Sequence, residues 1–412
     1  MAESTAEKRR NSLGRNRDFL LLWSGQAVST LGTSVSTLAL PLLALALTRS
    51  ATQAGFIAAA QAVPYLILSL PAGALIDRWD RRAVMIRCDL ARWLAYGSVP
   101  LAEALGRLTV AQLYGVALVS GTAFVFFNIA EVAALPRVVP AAQLPRANAL
   151  NESALSGATL LGPALSGALI SLARTTIAGA ALAYLLDSLS YLASVASLGF
   201  IRTPFQMDRP SVAAQSLRRD IAAGLHFLWA DQRLRSVALL AASIGVLSSP
   251  TDLAIIVLAQ QHLHADARTI GLILSLGSVG GLLGSVIAPW VTARLRFGRI
   301  IVGTVVIEAL AVALLAAATV PAMLVVGLAV VAVAIPIANV TQMSYRLTLT
   351  PDALQGRVNS VFRPLFFGGQ PLGLALGGAL LGPLGPRAEL GLVAVGLGLS
   401  ALAVALTPVG RV

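Results

Sequence analysis

The sequence predicts an all-α polytopic membrane protein, and three observations carry that prediction. The first is composition. Of 412 residues, 57% are hydrophobic and only 12% are charged. A soluble domain carries about 25% charged residues, so this chain lacks the polar surface that water demands, whereas lipid accepts its apolar surface. The second is that the apolar residues gather into twelve long runs. The third is that Lys and Arg fall between those runs with a strong bias to alternate loops.

A helical span takes about 20 mostly apolar residues. The runs lie at 19–48, 53–76, 83–105, 109–133, 149–172, 177–201, 236–261, 269–292, 299–319, 321–345, 361–384 and 388–408. They do not alternate with period two, so helices rather than a barrel are expected to satisfy the backbone in lipid. The first run follows a basic start and reaches Thr48, which is too long for the core of a cleavable leader, so it reads as span one.

Orientation follows from the cations. With a cytoplasmic N-terminus, the outer loops hold only Arg49, Arg107, Arg174, Arg268 and Arg387, leaving 25 of the 30 Lys and Arg on or near the cytoplasmic side. Lys8, Arg9, Arg10, Arg15 and Arg17 precede span one, and Arg202, Arg209, Arg218, Arg219, Arg233 and Arg235 lie between spans six and seven. Both termini are therefore expected in the cytoplasm. The net charge of +12 does not point to nucleic acid, because the cations are scattered between apolar runs instead of forming one patch. Cys88 is the single cysteine, so no intrachain disulfide can form, and it reads as a small packing residue.

The longest polar segment bisects the chain. Thr203 to Ala214 reads as a linker, and Ser216 to Trp229 as a short amphipathic helix on the membrane surface, with Ile221, Leu225 and Leu228 apolar beside Arg218, Arg219 and Asp220. The organisation expected is 1–201 as one six-helix half, 202–235 as a cytoplasmic linker and 236–412 as the second half. An internal repeat supports it. A shift of 211 residues brings Asn128 onto Asn339, Pro140 onto Pro351, Arg146 onto Arg357 and Asn148 onto Asn359, and Gly157, Gly162 and Gly167 onto Gly368, Gly373 and Gly378. A shift of 216 brings Gly55, Leu66, Ser69 and Arg78 onto Gly271, Leu282, Ser285 and Arg294. Parallel repeats of this kind build secondary transporters whose site lies between the halves.

Two motifs sharpen this. After span two come Gly73, Asp77, Arg78, Asp80, Arg81 and Arg82. Their spacing resembles the signature loop of the major facilitator superfamily, with Asp80 where that loop usually has a second glycine. The resemblance implies a cytoplasmic gate loop that latches the halves together. Gly73 is expected to allow close helix approach, Asp77 to accept hydrogen bonds from a neighbouring helix N-terminus, and the three arginines to hold the loop at the anionic leaflet. In span five, Gly157, Gly162, Pro163 and Gly167 resemble the signature of the superfamily's drug and proton antiporters, where they bend the helix and pack it tightly. The stretch from Leu135 to Asn148, the segment Gly356 to Asn359, the opening Asn16 to Phe19, and Gln26 to Gly32 resemble the branch holding the enterobactin exporter and macrolide efflux proteins. The resemblance covers essentially the whole chain. It implies the major facilitator fold, with twelve transmembrane helices in two pseudo-symmetric halves, and proton-driven export.

Ionisable groups inside a membrane are expensive, so each is a functional candidate. Asp252 in span seven, beside Ser248, Ser249, Pro250 and Thr251, is a candidate to contact substrate or a proton. Asp187 lies near the middle of span six, where a carboxyl can load and release a proton, or else bond quietly to neighbouring helices. Glu131 and Asn128 share one face of span four, and their repeat partners are Gln342 and Asn339 on span ten. The proton-coupling candidates are thus Asp252, Asp187 and Glu131. The candidates for the substrate cavity are Gln26, Thr30, Thr33 and Ser34 on span one, with Asn128, Ser249, Asn339 and Gln342. Arg92 and Glu308 are repeat partners. Both are expected to be peripheral, with Arg92 snorkelling to the surface.

No enzymatic constellation is present, and no nucleotide-binding GxxxxGK[ST] loop. His262, His264 and Asp266 flank the outer surface without a metal-ligand pattern. No cofactor or metal is expected. The expected partners are a small-molecule substrate, protons and the lipid bilayer, with the chain a monomer in the inner cell membrane. The function expected is proton-coupled efflux of a small amphipathic molecule by alternating access. An uptake symporter or facilitator of the same fold, or a membrane sensor that transports nothing, stand as alternatives.

Overall fold

A computed structural model describes residues 13–206, 225–350 and 352–411. The expected cations Lys8, Arg9 and Arg10, position 351, and 207–224, which hold most of the expected linker and surface helix, lie outside the described residues. So do the side chains of Gly356 to Asn359. What is described of the surface helix, 225–230, is helical, with Leu228 buried.

The helices are α1 (Arg17–Thr48), α2 (Ala51–Ile76), α3 (Arg81–Ala104), α4 (Val110–Val138), α5 (Leu144–Leu172), α6 (Thr176–Phe200), α7 (Gln232–Leu247), α8 (Thr251–Gln261), α9 (Ala267–Arg294), α10 (Phe297–Ala316), α11 (Pro321–Leu349) and α12 (Asp352–Ala405). The sequence sets many of their starts. Asn16, Ser50, Asp80, Thr109, Thr175, Asp231 and Asp266 each accept a hydrogen bond from a backbone N–H of the first turn, which satisfies a donor the helix itself cannot.

Span seven is two helices, α7 and α8, broken at Ser248–Pro250, where proline cannot donate to the preceding turn. Spans eleven and twelve run through α12 and part at Gly385, whose φ of 78° and ψ of 164° suit glycine alone. Ten stretches among the described residues are long and apolar enough to cross a membrane, against the twelve expected. The shortfall has two sources. The stretch Phe367–Ala405 counts once, and α3 is not among the ten, because it carries Arg81, Arg82, Arg87, Asp89 and Arg92.

Within the first six helices, α1 packs on α5 and α6, α3 on α4 and α6, and α2 on α4. Among the later ones, α9 packs on α11, α10 on α11 and α12, and α7 on α12. The two most extensive contacts between these groups are α2 with α12 and α5 with α9. Both are glycine-lined. Gly55 lies backbone to backbone against Gly378, Gly167 against Ala267, and Gly271 against the carbonyl of Pro163. The Ala164 N–H donates to Ser275 Oγ at 2.9 Å. These approaches cluster at the end of the molecule that holds the turns at 49–50, 173–175, 262–266 and 385.

Candidate transport and coupling site

A polar cluster is buried where α1, α3, α4 and α6 meet. Its centre is Arg92, 6% exposed. Its guanidinium carbon stands 5.2 Å from the ring centre of Phe127, 5.3 Å from Tyr191 and 5.9 Å from Phe124. Aromatic faces attract a cation, so the charge is held inside, and the expected snorkelling to the surface does not occur. Asp89, one helical turn away and fully buried, pairs with it at 3.7 Å. Tyr191 OH shares a 2.9 Å hydrogen bond with Thr33 Oγ1, and its ring stacks obliquely on Tyr96 at 5.6 Å. Gln61 Nε2 donates to Tyr96 OH at 3.4 Å and to Ser120 Oγ at 3.3 Å.

Asp187 closes this cluster on the α1 side. It is fully buried. Ser190 Oγ bonds its backbone carbonyl at 2.7 Å and approaches its Oδ1 at 3.2 Å, while Oδ2 has no hydrogen-bond partner. Gly32 makes room for this carboxyl, since a Cβ there would stand 2.7 Å from Asp187 Oδ1 and 2.8 Å from Ser190 Cβ. Gly32→Val is therefore expected to push α1 off α6 and cut transport roughly tenfold, from an overpacking penalty of about 1–3 kcal/mol. Efflux at matched expression checks this, and wild-type flux would show that the α1–α6 contact does not matter. Glu131, half-buried on α4, lies within electrostatic reach of both Asp89 and Arg92. One guanidinium thus faces three carboxyls.

The other expected site residues are dispersed. Gln26 and Thr30 are half-buried on α1, and Gln26 Nε2 has no partner. Thr33 belongs to the cluster, and Ser34 is engaged in packing: its hydroxyl donates to Ala158 O at 2.7 Å and it lies against Gly162. Asn128 and Gln342 are half-buried and Asn339 is exposed. Ser249 Oγ donates to Gly245 O within the end of α7. Asp252 is exposed in the first turn of α8 and belongs to a different region from the cluster. Asp266 caps α9, and hydrogen bonds from the side chain and backbone of Thr269 hold its carboxyl below the usual carboxylate range.

The gate loop differs from expectation in three ways. Gly73 has no neighbouring atom within 4 Å of where a Cβ would stand, so it admits no close helix. Asp77 forms an ion pair with Arg81 at 3.5 Å in place of meeting a helix N-terminus. Arg81 is 5% exposed and donates to Ala133 O at 3.0 Å and Phe205 O at 3.3 Å, so it anchors inside the protein, not at the leaflet. Arg82 donates to Gly199 O, and Gln206 Nε2 to the Asp77 carbonyl at 3.0 Å. Among the described residues, these partners all precede residue 207. Asp80, in the place of the usual glycine, caps α3 through Ala83 N at 2.6 Å. Arg78 is exposed. In span five, Gly162 and Gly167 pack on α1 and α9, Pro163 receives Gly271, and Gly157 faces open space.

Sequence reasoning missed Asp89, Tyr96 and Tyr191. The Asp89–Arg92 spacing of three residues was the available signal, masked by the run of arginines before it.

The sequence matches the profile of the family described as transmembrane secretion effector across residues 13–411. It is 28% identical to the multidrug efflux pump Tap of Mycolicibacterium fortuitum over 383 residues, covering 90% of each chain. It is 27% identical to macrolide efflux protein A of Streptococcus pyogenes over 135 residues, covering 33% of each. The fold superposes on a bacterial homologue of the human lysosomal transporter Spinster, in an inward-facing and unoccupied conformation, with a TM-score of 0.76 at 13% identity, covering 96% of this chain and 97% of that one.

Proposed function

This chain belongs to the transmembrane secretion effector family and is a multi-pass, efflux-type transporter of the major facilitator fold, and from that premise we propose that it exports a small amphipathic molecule in exchange for protons. The observation that carries the proton half is the cluster of buried Asp89 and Asp187 with half-buried Glu131 around Arg92, its one cation among the described residues. Charges buried without a partner are strongly unfavourable, so three carboxyls on one guanidinium form a store in which proton occupancy can change. Asp187 is the group we assign to coupling, because its Oδ2 is unpartnered and it abuts α1 at Gly32. The relatives named as efflux pumps support the direction.

The packing supports two halves, 1–201 and 236–412, that rock on the α2–α12 and α5–α9 contacts. With both termini in the cytoplasm, the glycine-lined end faces outward. In that orientation the α2–α12 and α5–α9 contacts close the outer end of the molecule. The cavity candidates Gln26, Thr30, Asn128, Ser249, Asn339 and Gln342, with the coupling candidate Asp252, would line the route. We place the protein as a monomer in the inner membrane.

Energised inverted vesicles holding a pH-sensitive dye test this. Their lumen is acid, so antiport carries protons out and lumenal pH rises when a transported drug is added. Lipophilic cations and macrolides form the first panel. Wild-type protein is expected to give this rise, and Asp187→Asn to reduce it at least about tenfold, the scale of 1.4 kcal/mol or more. Drug movement with no pH response would replace antiport by facilitated diffusion. An unchanged response in the Asp187→Asn protein would remove that residue from coupling.

A further inference from the structure

A second pair of buried acids lies far along the chain from Arg92, at the break in span seven. Ser248, just after α7, donates its hydroxyl to Glu308 Oε1 on α10 at 2.7 Å. Two residues on, Pro250 packs against Gly377 of α12. Glu389, beyond the Gly385 turn, rests on the same glycine: a Cβ on Gly377 would meet Glu389 Oε1 at 2.6 Å and Pro250 Cγ at 2.8 Å. The two acids therefore reach the break from two different helices, Glu308 from α10 and Glu389 from α12.

Glu389 is 2% exposed, and neither of its oxygens has a hydrogen-bond partner. Thr251 Oγ1, the first hydroxyl of α8, is also buried and unpartnered. Among the described residues, no positive side chain is paired with either acid. Arg387, two residues before Glu389, donates instead to Ala318 O at 3.1 Å. Arg233 and Arg235 sit at the opposite end of α7, and Asp252 on α8 is itself an acid and is exposed. On α10 the facing charge is Glu308, and the longer polar side chains of α2, Gln53, Gln61 and Tyr65, are all neutral. A buried carboxyl with no donor and no counter-charge calls for a positive partner. Broken membrane helices supply hydroxyls and free carbonyls suited to small hard cations.

We propose that the break in span seven, flanked by Glu308 and Glu389, is a binding site for a small monovalent cation, either a proton or a sodium ion, distinct from the Arg92 cluster. Sodium would take Glu389 oxygens and the hydroxyls of Ser248 and Thr251, whereas a proton would reside on Glu389 and turn it into a donor. In both cases the occupant ties α7, α8, α10 and α12 together beside the glycine-lined contact of α2 with α12. The site does not depend on Asp187 carrying protons.

The test uses the full-length protein in lipid nanodiscs and needs no transport substrate, so it is independent of the export reading. Thermal unfolding is followed in sodium chloride and in N-methylglucamine chloride at equal ionic strength. Infrared difference spectra across a pH step report the C=O stretch of neutral carboxylic acids. If the occupant is sodium, sodium raises the melting temperature of the wild type and not of Glu389→Gln, and Ser248→Ala raises the half-saturating sodium concentration about tenfold, the scale of a hydrogen bond in a charged site. If it is a proton, a neutral-acid band is present in the wild type and in Asp187→Asn but absent in Glu389→Gln. Should Glu389→Gln fail to fold, Glu308→Gln and Ser248→Ala are expected to shift the same sodium response or the same band. A wild type that sodium does not stabilise, with an acid region unaltered by these substitutions, overturns the proposal.

Discussion

Thr52→Cys combined with Gly382→Cys is expected to abolish transport under oxidising conditions and to regain it with a reductant. A Cβ on Gly382 would stand 3.9 Å from Thr52 Cβ, and a disulfide wants about 3.8 Å between these atoms. The two positions lie on α2 and α12, one on each side of the contact that closes one end of the molecule. If the halves must part there in every cycle, a covalent staple holds the transporter in one state, and flux falls by roughly tenfold or more, set by the fraction cross-linked. The assay is drug efflux beside a gel shift for the cross-link, in a Cys88→Ser background, since Cys88 is the chain's single thiol. Either single substitution should transport normally with oxidant present. A fully cross-linked protein that still transports would mean that this contact stays shut throughout the cycle.

Arg92→Met is expected to cost about 3–5 kcal/mol of stability, the penalty for stranding a buried charge by removing its partner. Asp89 is fully buried and, among the described residues, pairs with no other cation, so nothing there replaces the lost guanidinium. Adding Asp89→Asn should recover most of the loss, because the neutral amide needs no counter-ion, and the double variant should still transport poorly if the cluster manages protons. Arg92→Lys keeps the charge but loses the flat guanidinium that lies among Phe124, Phe127 and Tyr191, and should fall between. Melting temperatures in detergent rank the four proteins. An Arg92→Met protein that melts with the wild type would show that Asp89 is not held as an ion there.

The membrane architecture was legible because lipid enforces it residue by residue, and length and apolarity alone locate most spans. Span three was expected at 83–105 and is α3, Arg81–Ala104; what sequence order misplaced was Arg92, expected at the surface and found buried. Folding turns Arg81 and Arg92 inward and leaves Arg87 outside. Of the repeated glycines, Gly162, Gly167, Gly373 and Gly378 lie close against neighbouring helices, but spacing could not say that Gly157 meets nothing. The acids were harder. Asp187 stood out because it sits alone in an apolar run, whereas Asp89 hid among arginines, and Glu389 followed the outer-loop residue Arg387 closely enough to read as surface. Burial of a charge depends on which helix packs over it, and single-span patterns do not encode that.

The glycine-to-backbone contacts at Gly55 with Gly378, Gly167 with Ala267 and Gly271 with Pro163 act as a bearing made of main chain. Main chain has no side-chain vocabulary, so this surface recognises no particular molecule and constrains only how closely two helices approach. The residues proposed to meet cargo lie elsewhere, on faces of α1, α4, α8 and α11 that the bearing does not use. A change of cargo can therefore proceed by exchanging wall residues while the rocking surface is left untouched. Adaptability to new compounds then becomes a property of the scaffold as much as of any one pocket.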